Sequence, residues 1–492
     1  MLGRPTALSL LTEVVPACTI AGTGMIFAGS YLEWIKRASS ENFDSRMLSL
    51  VPPLIGLKGN LEVTLSSRLS TMANIKKEFT GQAVNLFVTT LVFILIQAVA
   101  AGIIISLLSV LLFSSTSDWE NVTGHFVRLA SVSIFTCTLA ICGLSLLVFG
   151  LIIFCTLVGT DPDNVAPPMA AALGDLATVT LLIKINDYYT TSPTLVTIFA
   201  VLAFTCILLI GPFYLIRQSR ELALSTDLKT MSITWSTFAS SVVPLMCAIV
   251  MSSLSGQVLA HFAHRLHNLA RLQIAINGVG GCFGSIVVSR MTTRLNTYSK
   301  EPTSPPAGHY KVLESEACDP TVPRTTQPKA TAKSNELPCV NILACFTKEH
   351  IDRVSGEVLS DAHLVSRFIL FSCLPIHLFL AVVSFVLSGI FDVTESEGLI
   401  NTVFTPSTVG AYLLAAFIQV SIIIWFARRI VISYWGHLIQ LQDPIVCCQL
   451  GQSIDQSPSL ASLDLAAIAL TTGLGDLLGS VLLVSTLYIF QT

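Results

Sequence analysis

Long apolar segments separated by short polar loops dominate the chain. Each segment has roughly the 20 residues or more that span the apolar core of a bilayer. A polar stretch at 296–364, rich in Pro, Thr, Ser, Lys and Glu, predicts a disordered cytoplasmic linker. The pattern predicts an all-α polytopic membrane protein with eleven transmembrane helices at 8–34, 48–71, 83–113, 126–158, 165–185, 194–216, 233–259, 269–293, 368–391, 409–434 and 463–490.

The composition supports a membrane protein, and the motifs that are missing from the sequence argue against several classes of function. Of the 492 residues, 52% are hydrophobic and only 12% are charged, whereas soluble domains carry about 25% charged residues. No phosphate-binding glycine loop, nucleotide motif or Ser/His/Asp set is visible in the sequence. We therefore expect a protein that is not an enzyme, needs no cofactor, binds no nucleic acid and has the lipid bilayer as its surroundings.

Short motifs recur in the same order in the two halves and indicate an internal repeat. The matches pair 14–16 with 242–244, 67–71 with 289–293, and 173–176 with 474–477. Each repeat has five helices, and the helix at 194–216 is left over as a connector, so the halves should be parallel and related by an axis along the membrane normal. We predict a first repeat at 1–190, a connector at 191–230 and a second repeat at 231–492.

The distribution of Lys and Arg predicts the orientation. Most of the 27 Lys and Arg residues fall in the segments that are cytoplasmic if the N-terminus is cytoplasmic, as the positive-inside rule requires. The C-terminus would then be extracellular, and we expect a multi-pass protein of the plasma membrane. A chain of two fused repeats can act as a monomeric pseudo-dimer.

Two acids, Asp175 and Asp476, lie in the middle of long apolar segments. A charge at that depth is costly and is by default a functional hypothesis. Each could instead pair with a buried base or with helix hydroxyls, but neither segment has a Lys or Arg near its Asp. Two such acids at symmetric positions would suit a divalent cation. Since no His or Cys accompanies them, the ion should be hard and oxygen-liking, such as hydrated Mg²⁺.

The second predicted helix is unusually polar. Asn60 and Thr64 share one face, and Lys58 and Glu62 could either line a path or simply pair with each other. Asp163 and Asp464 each precede an intramembrane Asp by twelve residues and could cap a helix or form a cytoplasmic vestibule. The candidate lining residues of the pore are Asn60, Glu62, Thr64, Asn277, Asp163 and Asp464. Gly174 and Gly475 are expected to allow close helix approach.

One histidine-rich stretch carries a separate hypothesis. His261, His264 and His267 recur at a spacing of three on the predicted outer side. They could bind Zn²⁺ or sense pH, or they could belong to a solvated loop or helix end.

Residues 52–62, which read Pro-Pro-Leu-Ile-Gly-Leu-Lys-Gly-Asn-Leu-Glu, resemble with 67–71 a signature of the solute carrier family 41 magnesium transporters. Those carriers are eukaryotic relatives of the bacterial MgtE channels. Residues 161–164 with 173–176 resemble the family's second signature. The resemblance implies Mg²⁺ transport by two fused MgtE-like domains, with Asp175 and Asp476 as the pore acids and Asn60 nearby. The second half departs from the pattern, because Cys282 stands where the family has Asn.

Several functions stay open at this point. The leading hypothesis is a Mg²⁺ transporter, either a channel or a carrier with Na⁺ as counter-ion. A proton-coupled or other-cation carrier would use the same acids as proton relays. A non-transporting scaffold would use the linker as a docking segment.

Overall fold

A computed structural model describes residues 7–38, 45–76, 81–113, 122–158, 162–224, 235–266, 268–300, 338–391, 405–442 and 460–491, apart from side chains near several helix ends. These residues form eleven α-helices, as predicted. The helices of the first half and the connector are α1 (Ala7–Ala38), α2 (Ser45–Lys76), α3 (Gly81–Phe113), α4 (Val122–Val158), α5 (Pro162–Thr191) and α6 (Pro193–Leu224). Those of the second half are α7 (Trp235–Phe262), α8 (Leu269–Lys300), α9 (Pro338–Phe391), α10 (Pro406–Gln442) and α11 (Leu460–Gln491).

Nine of the described helices are long and apolar enough to cross a membrane. The other two are α2 and α5, which carry Lys58 and Asp175. They are long enough, at 32 and 30 residues, because a helix rises about 1.5 Å per residue and the bilayer core is about 30 Å thick. Most described side chains of α2 between 47 and 62 are buried. Lys58, Asn60 and Glu62 are among the buried side chains and therefore face other helices.

The same packing partners occur in both halves. Helix α5 is in contact with α1, α2 and α4, and α11 is in contact with α7, α8 and α10. Across the halves, α2 packs on α7 as α1 packs on α8. The connector α6 packs on α3 and α4 and leaves many large apolar side chains exposed. The parallel orientation of the repeats stays a prediction.

Glycines mark the closest approaches between these helices. A Cβ at Gly256 of α7 would collide with the backbone carbonyl oxygen of Ser49 in α2. A Cβ at Gly473 of α11 would lie 2.7 Å from the Cα of Ala248 in α7. These glycines hold α2, α7 and α11 together because a bare Cα lets two backbones approach closely.

The predicted linker is shorter than expected. Helix α8 continues to Lys300, and α9 begins at Pro338 rather than at Phe368. The residues from 338 onward that were expected to be disordered are therefore helical. Polar composition suggested a linker there, but a helix that extends beyond the bilayer needs few apolar residues. The remainder of the predicted linker, 301–337, lies outside the described residues, as does the His267 position.

Candidate functional site

The stretch of α2 from Gly56 to Glu62 is in contact with the acid-bearing helices of both halves. Residues two apart on a helix point about 200° apart, since each residue turns the helix by about 100°. Lys58 and Glu62 therefore share one face of α2, and Gly56 and Asn60 share another. The first face meets α5, and the second meets α7 and α11.

Asp175 is held by an ion pair with Lys58. The Nζ atom of Lys58 lies 2.7 Å from Oδ1 of Asp175 and 3.7 Å from Oε2 of Glu62. All three side chains are buried. A Cβ at Gly174 would collide with the Lys58 ammonium group, so this glycine provides space for a side chain. The atoms that occupy this space are side-chain atoms of α2, and the expectation that Gly174 allows close helix approach stays a prediction.

Asp476 has a different environment. Its Oδ2 atom accepts a hydrogen bond of 2.5 Å from Ser252 Oγ of α7. A Cβ at Gly56 of α2 would lie 2.8 Å from the same oxygen. Asp476 is only partly buried, and no Lys or Arg of the described residues forms an ion pair with it. The two acids thus differ in charge compensation, although their sequence surroundings match.

Asn60 connects the halves. Thr472 Oγ1 of α11 lies 3.0 Å from Asn60 Oδ1 of α2 and can donate to it. Thr472 also lies near a Cβ placed at Gly281 of α8, at 3.4 Å. The amide of Asn60 therefore lies where α2, α8 and α11 meet, one helical turn from Gly56 and Asp476.

Asn277, the lining candidate of the second half, lies among hydroxyl groups. Its Nδ2 donates to Ser255 Oγ at 3.3 Å and to Ser480 Oγ at 3.2 Å. Ser480 is four residues after Asp476 on α11, and Ser255 is three after Ser252 on α7. Asn277 is therefore one helical turn away from Asp476, in the interface of α7, α8 and α11.

The structure does not test the predicted place of three other candidates in the pore. The side chains of Thr64, Asp163 and Asp464 lie outside the described part, although these residues belong to α2, α5 and α11. His261 and His264 are exposed at the end of α7. Within the described ranges, no group of three or more His, Cys, Asp or Glu residues could hold a metal ion.

Two residues of the site were missed by the sequence reasoning. Lys58 was treated as a partner of Glu62, whereas its shorter contact is with Asp175. The base that neutralises Asp175 comes from a different helix, so a search of the Asp175 segment could not find it. Ser252 was not considered. The sequence could have pointed to this residue, because Ser252, Ser253 and Ser255 are polar residues in the middle of an apolar helix.

Known proteins resemble this chain, and a family model matches the first-half part of the site. Residues 51–185, which include the polar face of α2 and Asp175, match the family model MgtE, described as a divalent cation transporter. Solute carrier family 41 member 3 of Mus musculus is 27% identical over 494 residues, covering 98% of this chain and 83% of that protein. No solved structure matches significantly.

The similarity extends beyond one relative. Solute carrier family 41 member 2 of Xenopus laevis is 27% identical over 497 residues, covering 99% of this chain and 73% of that protein. Solute carrier family 41 member 2 of Homo sapiens is 27% identical over 483 residues, covering 96% of this chain and 69% of that protein. The chain is thus a multi-pass membrane protein that is similar over nearly its whole length to the solute carrier family 41 proteins, and its residues 51–185 match the model of a divalent cation transporter family.

Proposed function

We propose that the protein transports Mg²⁺ across a membrane and that Asp175 and Asp476 bind the hydrated ion. The observation that carries the proposal is the position of both acids against one short stretch of α2. Lys58 reaches Asp175, and Gly56 lies against Asp476. Gly56 and Lys58 are two residues apart, so the α2 backbone positions that carry these two contacts differ by about 3 Å in height along the helix axis.

The charge of this cluster suits a divalent cation. With Asp175, Asp476 and Glu62 ionised, three carboxylates and one ammonium group leave a net charge of −2. Mg²⁺ prefers oxygen ligands and keeps several waters when one or two carboxylates hold it. Asn60 adds an amide oxygen at the meeting point of the halves. Water-mediated binding also explains why no dense group of ligand side chains is needed.

Lys58 has a defined role in this proposal. Its ammonium group is a tethered cation that compensates Asp175 when no Mg²⁺ is bound. An arriving Mg²⁺ competes with it, because both bind the same carboxylate. The ammonium group can then shift toward Glu62, whose Oε2 is already 3.7 Å away. Binding and release of the ion are thereby linked to a side-chain movement on α2.

Sodium-coupled efflux is the proposed form of transport. The N-terminus would be cytoplasmic, the C-terminus extracellular, and the protein would work in the plasma membrane as a monomeric pseudo-dimer. The positive-inside distribution of Lys and Arg supports this orientation.

Flux measurements in proteoliposomes test the proposal. Purified protein is reconstituted with an internal Mg²⁺ indicator, and Mg²⁺ entry is recorded with and without an opposing Na⁺ gradient. We expect Mg²⁺ flux above that of protein-free liposomes, and faster flux with the Na⁺ gradient. Equal flux with and without Na⁺ would indicate a channel, and no flux under either condition would contradict Mg²⁺ transport.

The alternatives give different results in the same assay. A proton-coupled carrier would acidify or alkalinise the lumen under a pH gradient without Mg²⁺. A scaffold would give no flux with any ion. The buried charge cluster favours transport over the scaffold, because a scaffold has no need for ionised groups at this depth.

A further inference from the structure

The two halves differ in what covers their outer face. Helix α3 packs on α2, α4 and α7, and α9 packs on α8, α10 and α1, so α9 and α10 hold the positions of α3 and α4. In the first half the connector α6 lies on α3 and α4, and Phe199 of α6 stacks on Phe135 of α4 with ring centroids 5.7 Å apart. Among the described helices, none takes the place of α6 on α9 and α10.

The outer surface of α9 and α10 is apolar over several helical turns. On α9 it includes Phe371, which is 83% exposed, together with Leu374 and Leu378. On α10 it includes Trp425, which is 61% exposed, and Ile422. Both helices are long and apolar enough to cross a membrane. Lipid acyl chains therefore suit this surface, since they are as apolar as the side chains that form it.

Three arginines stand at one end of this apolar surface. Arg367 lies one helical turn before Phe371 on α9, Arg429 lies one turn after Trp425 on α10, and both arginines are exposed. Arg428 is half-buried beside Arg429. The distribution of Lys and Arg along the chain predicts that this end is cytoplasmic. We call Arg367, Arg428 and Arg429 the arginine rim.

Two contacts hold the arginine rim in place. Nη2 of Arg428 lies 2.7 Å from Nε2 of His363 on α9, and since arginine can only donate, the imidazole nitrogen accepts. The guanidinium group of Arg429 lies over the ring of Trp425, 6.0 Å from its centroid. Arg367 is four residues after His363 and therefore shares its face of α9. Arginines that only extend toward the membrane surface need no such contacts.

The charge of the arginine rim is not compensated by acids of the described ranges. The ion pairs found there do not involve its three arginines, and the carboxylate of Asp361 on α9 is used by Arg294 of α8 at 3.5 Å. Nε of Arg428 is also buried without a hydrogen-bond acceptor among the described residues. Guanidinium groups with unused donors suit a phosphate, which accepts two parallel hydrogen bonds from one arginine.

We propose that the outer surface of α9 and α10 binds one anionic phospholipid. Its phosphate contacts the arginine rim, and its acyl chains lie along Phe371 and Trp425, on the surface that corresponds to the site of α6 in the first half. A zwitterionic phospholipid fits less well, because three guanidinium groups repel its choline group. The cytoplasmic leaflet supplies anionic lipids, and each arginine near the membrane surface strengthens their binding about fivefold.

Native mass spectrometry of the purified full-length protein tests this proposal. Phosphatidylserine is the anionic probe and phosphatidylcholine with the same acyl chains is the zwitterionic one, each added at equal concentration in detergent without Mg²⁺. We expect one phosphatidylserine to be bound about tenfold or more tightly than phosphatidylcholine. Equal binding of the two lipids would overturn the proposal. A dimer without lipid would also overturn it, since a second copy of the chain would then cover this surface.

Removal of the charges should remove the preference for the anionic lipid. Arg367→Gln should weaken phosphatidylserine binding about fivefold, and its combination with Arg428→Gln and Arg429→Gln should weaken it about a hundredfold. Arg265→Gln is the matched control for the single variant, because it neutralises an exposed arginine after α7, on the predicted outer side. Its phosphatidylserine binding should equal that of the wild type. Wild-type binding by the triple variant would overturn the proposal.

A second triple variant covers the case in which the Gln variant does not fold. Arg367→Lys with Arg428→Lys and Arg429→Lys keeps the charge and loses only the paired hydrogen bonds. It should still prefer phosphatidylserine, and loss of that preference would contradict the role of charge. The comparison of the two lipids on the wild type needs no variant at all. Because lipid binding is measured without Mg²⁺ and without flux, Mg²⁺ transport with no lipid preference would overturn this proposal alone.

Discussion

The ammonium nitrogen of Lys58 lies 2.7 Å from Oδ1 of Asp175, and the two residues come from different helices of the first half. The second half has Gly280 at the position of Lys58, and its acid, Asp476, receives a hydrogen bond from Ser252 instead. The repeat therefore preserves the acids but differs in how each charge is compensated. The predictions below follow from this difference.

Loss of Lys58 should destabilise the protein in the absence of Mg²⁺. Removing one partner of a buried ion pair costs about 3–5 kcal/mol, since the other charge stays buried and uncompensated. We expect Lys58→Met to lower the thermal unfolding midpoint of the purified protein in EDTA. Saturating Mg²⁺ should raise the unfolding midpoint of Lys58→Met by more than it raises the midpoint of the wild type, because the ion replaces the missing ammonium group at Asp175.

The control for this experiment is Lys184→Met, which removes an exposed lysine from α5. Its midpoint should match that of the wild type with and without Mg²⁺. An unfolding midpoint of Lys58→Met equal to that of the wild type in EDTA would show that the ion pair does not stabilise Asp175.

Gly56→Ala should impair transport through Asp476. The added Cβ would lie 2.8 Å from Asp476 Oδ2 and 3.1 Å from Ser252 Oγ, so the carboxylate must move. A misplacement of about 1 Å at a functional group can cost about a hundredfold in rate. We expect at least a tenfold loss of Mg²⁺ flux in proteoliposomes, about 1.4 kcal/mol or more.

Gly59→Ala provides the matched control on the same helix, because a Cβ at Gly59 meets no atom within 4 Å. It should keep wild-type flux and gain about 0.5–1 kcal/mol of helix stability. Similar flux in the two alanine variants would argue against contact between Gly56 and the working carboxylate.

Ser252→Ala should weaken Mg²⁺ binding without preventing folding. The hydroxyl donates to Asp476 Oδ2 at 2.5 Å and orients that oxygen. Loss of a residue that orients a metal-binding carboxylate reduces affinity by about 10–100-fold. The half-saturating Mg²⁺ concentration of flux should rise accordingly, whereas Ser485→Ala, at an exposed site of α11, should leave it unchanged. An unchanged value in Ser252→Ala would exclude an orienting role.

Asn60 and Thr472 should behave as a coupled pair. Their side-chain oxygens lie 3.0 Å apart across the two halves, and contacting residues show interaction energies of about 0.5–3 kcal/mol. In a double-mutant cycle, the flux losses of Asn60→Ala and Thr472→Val should not add. Strict additivity would indicate that the contact has no effect on transport.

Apolar segment lengths were sufficient to predict the helices of this fold, because each membrane-spanning helix satisfies its own backbone hydrogen bonds. The start of α9 at Pro338 was not predicted, because polar composition does not distinguish a solvated helix from a linker. Length and polarity together predicted an unusually polar second helix at 48–71, and the structure adds that most of its described side chains between 47 and 62 are buried.

The candidate site combines residues selected from the sequence with contacts that only the structure shows, and its role in binding an ion stays a prediction. Asp175, Asp476 and Asn60 were selected because polar groups in apolar helices are costly and therefore informative. The Lys58–Asp175 pair was not found, since it depends on how α2 and α5 pack and not on spacing within one segment. The contact of Gly56 with Asp476 was likewise inaccessible, because it joins residues 420 positions apart in the sequence.

Mg²⁺ flux through Asp175→Asn, Asp476→Asn and the double variant in proteoliposomes tests the central claim most directly. Asn keeps the shape of the side chain and removes its charge, and Asp187→Asn, at an exposed position of α5, is the control. The account predicts reduced flux in each single variant, flux at the level of protein-free liposomes in the double variant, and wild-type flux in the control. Wild-type Mg²⁺ flux through the double variant would contradict it.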